Sequence, residues 1–212
     1  MTRTAQVKRA PPLPMPRMLW DATATPEVVT VPARTVLTLD GEGAPEGQAF
    51  QNGVAAIYGV AYTLKFSRKK VGRRDFKIGP LEARWWTDDP TCRLPDVPRE
   101  SWCWQLRMAV PANVTSAELA RTVESATHKG GAKLADNPLV AHVTLSELPA
   151  ARCGRVLHIG PYATEGANLG RIAAAMQAAL LTPANAHAEV YLNDPRRTEQ
   201  DQLKTVLLLE VA

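Results

Sequence analysis

Glu189 stands in the middle of an alternating run, Ala186-His187-Ala188-Glu189-Val190-Tyr191-Leu192. Successive side chains of a strand point to opposite faces, so His187, Glu189 and Tyr191 share one face. Ala188, Val190 and Leu192 share the other, which reads as the helix-side core. A mid-strand carboxylate between apolar neighbours is costly to bury alone. It faces water, pairs with a base, or serves a ligand. Partly desolvated beside aromatic rings, it would have a raised pKa and act as a general base or as the counter-ion of a cation.

Four tryptophans, Trp85, Trp86, Trp102 and Trp104, fall in two consecutive strand segments of a chain that is only 6% aromatic. Alternation sends Trp85 and Trp86 to opposite faces, puts Trp86 with Glu82, and puts Trp102 with Trp104. Such a set either fills core or forms a cage for a planar or cationic ligand, and the pattern leaves both open. A third group is His158-Ile159-Gly160-Pro161-Tyr162, where a strand ends and a helix begins. Gly and Pro set that turn. Tyr162 and Glu165, at the helix start, are within reach of a groove. Asp194-Pro195-Arg196-Arg197 reads as a turn tied down by its own arginines. No dinucleotide or phosphate loop, nucleophile elbow, or metal-ligand spacing of histidine and cysteine is present. Cys92, Cys103 and Cys153 read as reduced thiols.

These residues must be carried by a specific order of elements. Strand signals run over Glu27–Val31 and Arg34–Asp40, ending at Gly41-Glu42-Gly43. Phe50, Val54, Ile57, Tyr58 and Ala61 then recur at helical spacing. Strands follow from Asp75 to Ile78, from Leu81 to Thr87 and from Trp102 to Val110. Thr115, with Glu118 three residues on, opens a second helix through a capping box, flanked by Val114 and Leu119. Gly130-Gly131 ends it. After a strand over Val140–Leu148, the order repeats. Arg152–Ile159 is a strand, and Leu169, Ile172, Ala173, Met176, Ala179 and Leu180 mark a helix. Strands over His187–Asn193 and Leu203–Val211 close the chain. Strand, helix, strand, strand thus occurs at 34–110 and again at 152–211. The expected fold is α+β: two duplicated units with antiparallel sheets, helices on one face, and a central ligand groove where the units meet.

The net charge of +4 resides in residues 1–20, which hold Arg3, Lys8, Arg9 and Arg17 and no acid. The rest is balanced, so the body lacks the electrostatic footprint of a nucleic-acid binder. Residues 1–25 are expected to be a disordered, basic, Pro-rich tail. Residues 26–212 then form a single domain with halves at about 26–131 and 139–212. No apolar run reaches the ~20 residues of a membrane span, and no secretory signal is visible. The expectation is a cytoplasmic protein with a small-molecule ligand, no cofactor, no nucleic acid and no membrane partner.

Five segments together resemble the GyrI-like small-molecule-binding family: Val31–Gly43, Ala61–Phe66, Gly79–Trp86, His158–Glu165, and Glu189–Arg197 with Leu203–Thr205. The resemblance runs from about Val28 to the end. It implies a duplicated sheet-and-helix sandwich around a groove, as a standalone domain. The paired tryptophans and the Asp-Pro-Arg-Arg turn are similar to a branch that includes cyclopropanoid cyclopropyl hydrolases, which open the strained ring of DNA-alkylating natural products. By that resemblance Glu189 and Tyr191 are the catalytic candidates. Tyr62, Trp85, Trp86, Trp104, His158 and Tyr162 are the candidate ligand-binding residues. Ala188 stands where the family often has a second histidine. Binding alone, hydrolysis, and a gyrase-directed interaction are the three functions this leaves open.

Overall fold

The structure, a computed structural model, describes residues 19–89, 91–129 and 132–212. It is α+β. In chain order the elements are β1 (Glu27–Val31), β2 (Arg34–Glu42), α1 (Gln48–Lys70), β3 (Leu81–Trp86), β4 (Cys103–Ala109), α2 (Ser116–Lys129) and the short α3 (Ala132–Ala135). They continue with β5 (Thr144–Leu148), β6 (Ala151–Ile159), α4 (Glu165–Ala178), β7 (Pro183–Tyr191) and β8 (Lys204–Val211). All strand pairings are antiparallel, in the order β1-β6-β8-β7-β3-β4-β2-β5. Both halves therefore run strand, helix, strand, strand, and their strands appear in mirrored order about the β3·β7 pair. The two expected sheets meet by pairing β3 with β7, which makes one continuous sheet. No helix among the described residues is long and apolar enough to cross a membrane.

Cross-strand register decides which residues share a face. Ala83 lies opposite Glu189 and Leu106, and Glu189 lies opposite Leu207. On that face α1 buries Phe50, Ala56, Ile57, Val60, Ala61 and Leu64 against Leu37, Leu39, Trp85, Trp104 and Leu106. On the same face α4 packs Ile172 and Met176 on Val156, Leu207 and Leu209. Helices α1 and α2 cover the β2 and β4 side and α4 the β6 and β8 side, so β3 and β7 lie at the seam between two helical blocks. Burial of these apolar side chains, at about 25 cal/mol per Å² removed from water, holds the helices to the sheet.

Several expectations shift. Ala188 and Val190 are not on the helix side. They pack on the opposite face with Val31, Cys153, Val206 and Leu208, beneath Leu19, Trp20 and Ala22. Both faces of β7 are covered, so alternation separated the two sets correctly while leaving their sides open. Asp75–Ile78 does not form a strand; Phe76 is a buried anchor, and Asp75 pairs with Lys65 at 3.0 Å. Pro138–His142 is a 3-10 turn started by Asn137, whose side chain accepts from the Leu139 N–H. The capping role of Thr115 is present, since its Oγ1 accepts from the Glu118 N–H at 3.2 Å. The Gly130-Gly131 stop and most of the 1–25 tail lie outside the described residues. Within 19–25, Leu19 is buried, and the Thr23 carbonyl accepts from the Leu157 N–H at 2.7 Å.

Candidate functional site

The helix-side face of β7 brings three polar side chains into one chain of contacts. Tyr191 Oη donates to Glu189 Oε2 at 2.7 Å, and His187 Nε2 lies 3.1 Å from Glu189 Oε1. The Glu189 side chain keeps only 13% of its surface exposed, so it is neither bathed in solvent nor sealed off. Register sets its neighbours: Thr205 of β8 lies opposite Tyr191, and Trp85 of β3 lies opposite His187.

The fourth polar member comes from α4. After β6 the chain turns at Gly160, whose φ of +127° is a conformation that favours glycine. Pro161 and the single turn Tyr162–Thr164 then lead into the helix. This geometry brings Glu165 down onto the sheet at 5% exposure. Burial, and next the negative charge of Glu189, push its carboxyl up to about 9; the nearby Thr205 hydroxyl acts in the other direction without offsetting them. A glutamate in the first turn of a helix ordinarily gains about 0.3–1 kcal/mol as an anion. Desolvation beside a second carboxylate is the larger effect, and Glu165 is an acid at neutral pH.

Aromatic rings border this cluster. Tyr162, 38% exposed, meets Tyr191 edge-on with centroids 5.7 Å apart. Burial and the charges of Glu189, Glu165 and Asp194 raise the Tyr162 hydroxyl to about 12, and burial with the same two glutamates also raises Tyr191 well above its ordinary value. Both remain hydrogen-bond donors through the physiological range. Trp85 is stacked on Phe50 at 5.0 Å and meets Trp102 edge-on at 5.9 Å. On α1, Tyr58, Tyr62 and Phe66 form a stacked ladder with centroid spacings of 6.4 and 6.1 Å. Tyr58 packs against the same core cluster as Tyr191 and feels the charge of Asp194, as Tyr162 does, so the Asp194 turn lies near both.

The sequence-derived residues therefore separate into groups. Glu189, Tyr191, Tyr162 and Trp85 are brought together. Tyr62 is exposed on α1, one rung beyond Tyr58. Trp104 is core: it is 1% exposed, packs edge-on against Phe50, and lies over Gly41, where a Cβ would come within 2.2 Å of its ring. Trp86 is on the opposite face of the sheet, half-buried beneath the Arg84 guanidinium at 5.0 Å. His158 is a buried structural residue. Its Nδ1 contacts the Asn168 side chain at 2.9 Å and its Nε2 the Pro161 carbonyl at 3.1 Å, which fixes the turn into α4. Asp194 and Arg196 pair with each other at 2.8 Å.

Sequence reasoning noted Glu165 only as a residue within reach of the groove, and it did not pick out Thr205. The Gly160-Pro161 turn signalled where Glu165 sits, whereas its partner Glu189 is 24 positions away and is found only through register. A cavity of about 380 Å³ lined by Ala33, Arg34, Thr35, Ala112, Glu147, Leu148 and Pro149 lies at the β2–β5 edge and includes none of these groups.

No protein-family model and no curated protein matches the sequence. Solved structures do. A hydrolase from Listeria innocua is 28% identical, with a TM-score of 0.80, over 92% of this chain and 96% of its own. An uncharacterised conserved protein from Listeria innocua is 29% identical, with a TM-score of 0.81, over the same shares. The C-terminal domain of EcmrR has the same fold at 11% identity, with a TM-score of 0.53 over 89% of this chain and 97% of its own. These likenesses are consistent with the GyrI-like resemblance carried by the sequence.

Proposed function

We propose that this chain binds a planar, drug-like or xenobiotic small molecule at the seam of the sheet and hydrolyses it. The reaction is attack of water on a strained ring conjugated to a carbonyl, as in a spiro-cyclopropane. The observation that carries this reading is the Glu165–Glu189 pair: two adjacent carboxyl groups, one held protonated to about 9, the other already fed by Tyr191 and His187. A carboxyl that its surroundings hold protonated is the usual making of a general acid, here beside a candidate base. The 28% identity with a Listeria hydrolase over nearly the whole chain supports the same reading.

The chemistry balances with these two groups. Glu189 takes a proton from water as the water oxygen bonds to the cyclopropyl methylene. The bond from that carbon to the ring breaks, its electron pair flows into the conjugated system, and the carbonyl oxygen becomes a phenol by taking the proton of Glu165. The pair still holds one proton afterwards, and transfer from Glu189 to Glu165 resets it. General acid and base of this kind contribute about 10²–10⁴-fold each. Tyr162 provides a flat wall that holds a planar substrate in register. Relief of ring strain supplies much of the driving force, so a sparse site is sufficient.

A site with a neutral acid and one already-bonded carboxylate suits a neutral ligand bearing a carbonyl acceptor better than a cation. Incubation of the purified protein with a spirocyclopropyl cyclohexadienone, followed by mass spectrometry, tests this. A water adduct formed faster than in buffer supports hydrolysis. A stable complex without adduct reduces the function to binding, and neither complex nor adduct refutes the reading.

A further inference from the structure

Three buried polar atoms around Glu189 and Tyr191, namely Glu165 Oε1, Thr205 Oγ1 and Trp85 Nε1, make no hydrogen bond of full geometry, although the Thr205 hydroxyl is close enough to the Glu165 carboxyl to favour its ionised form. Buried polar groups are nearly always satisfied, and an exception near chemistry calls for an explanation. Thr205 is the most constrained of the three. It is fully buried on β8, opposite Tyr191 on one neighbouring strand and opposite His158 on the other. Helix α4 packs on β8, with Glu165 in its first turn. A threonine here costs desolvation of its hydroxyl, which valine in the same strand would avoid at nearly equal volume.

We infer that Thr205 is a positioning residue for Glu165: its hydroxyl, directly or through one water, bonds the carboxyl and holds it in the orientation that faces Glu189. This rests on the acid role given to Glu165 above for its consequence in turnover, and on geometry alone for its effect on the carboxyl. The hydroxyl donates to the carboxylate, which favours the ionised form and sets the direction in which its removal moves the titration. The other titratable groups that act on Glu165 or feel its charge are Glu189 and Tyr191 from β7 and Tyr162 from the preceding turn. The Tyr191 hydroxyl is already directed to Glu189.

The test uses the full chain with Thr205→Val and Thr205→Ser. The protonated-carboxyl infrared band is followed against pH and assigned by its loss in Glu165→Gln. In Thr205→Val the band persists to higher pH, with about tenfold tighter proton binding, and Thr205→Ser restores wild-type behaviour. With the spirocyclopropyl dienone, the alkaline limb of the rate profile moves upward in Thr205→Val by the same amount. An unchanged band in Thr205→Val overturns the inference whether or not any substrate is turned over. A shifted band with no adduct in wild type leaves the inference standing and removes the hydrolase reading alone. If Thr205→Val does not fold, Thr205→Ala is measured in its place. A Thr205→Ser band that moves like that of the apolar variant also overturns the inference, since it shows a packing effect.

Discussion

The Glu165 carboxyl of α4 and the Glu189 carboxyl of β7 are neighbours, and they cannot both be ionised cheaply. The negative charge of Glu189 adds to burial in holding Glu165 protonated to about 9, against the pull of the helix N-terminus on which it sits. Strand β7 and helix α4, which is entered from β6 through the Gly160 turn, thereby bring two carboxyl groups together.

Stability must follow from that pair. The folded-state value of Glu165, about 9, lies above its ordinary 4.5. Between those limits the folded protein binds more protons than the unfolded chain, so this group makes stability fall as pH rises across the window. Its contribution is intact below about 4.5 and lost through 9. Glu165→Gln removes the titration and melts higher than wild type at pH 8, by about 2 kcal/mol in unfolding free energy, with a smaller difference at pH 5. Thermal melts at both pH values check this. Equal pH dependence in the two proteins would mean that Glu165 is ionised in the fold.

Activity is expected to divide by residue. Glu189→Gln keeps the shape of the site and its bond to Tyr191 while losing the base, so ring opening falls about 10²–10⁴-fold with binding retained. Tyr191→Phe leaves Glu189 with one fewer donor and reduces the rate less, by about tenfold. Rates from adduct formation and affinities from tryptophan quenching separate the two effects. A Glu189→Gln protein that turns over normally rules out the base.

Ligand contact should depend on which face of the sheet a ring occupies. Tyr162 borders the carboxyl pair, whereas Trp86 is on the far face against Arg84. Tyr162→Ala is predicted to weaken binding of a planar ligand by about 1–2 kcal/mol, the worth of a stacked ring, and Trp86→Ala to leave it unchanged. Fluorescence titration measures both, and the reverse ranking would move the binding site to the other face.

Much of this was legible in the sequence, for reasons that also mark its limit. Alternation in His187-Ala188-Glu189-Val190-Tyr191 grouped the catalytic candidates correctly because strand periodicity is local. It did not say which group faces the helices, because Ala188 and Val190 pack under Leu19 and Trp20 while Glu189 lies near Glu165, and both layers are long-range. The extra first turn of β7 escaped notice because Pro183 to Ala186 are small or strand-averse residues that pair only through a register shift. Trp104 was ambiguous in the same way: its spacing fits a wall or a core, and only the facing glycine settles it.

That glycine makes the last prediction. The Trp104 indole occupies the space a side chain at position 41 would need, with Cη2 and Cζ2 each 2.2 Å from the site of a Cβ. Gly41→Ala must therefore displace a ring that is packed against Phe50, at a cost of about 1–3 kcal/mol for overpacking. Trp104→Ala opens a cavity instead and costs about 3–5 kcal/mol. In the double variant the new methyl enters the space the indole vacates, so its loss is smaller than the sum of the two, by at least about 1 kcal/mol. Urea unfolding of the four proteins measures this coupling, and strict additivity would place the indole elsewhere. Ligand binding by Gly41→Ala should persist at temperatures where it is folded, because Trp104 supports the floor beneath Trp85 through Phe50 without reaching the carboxyl pair.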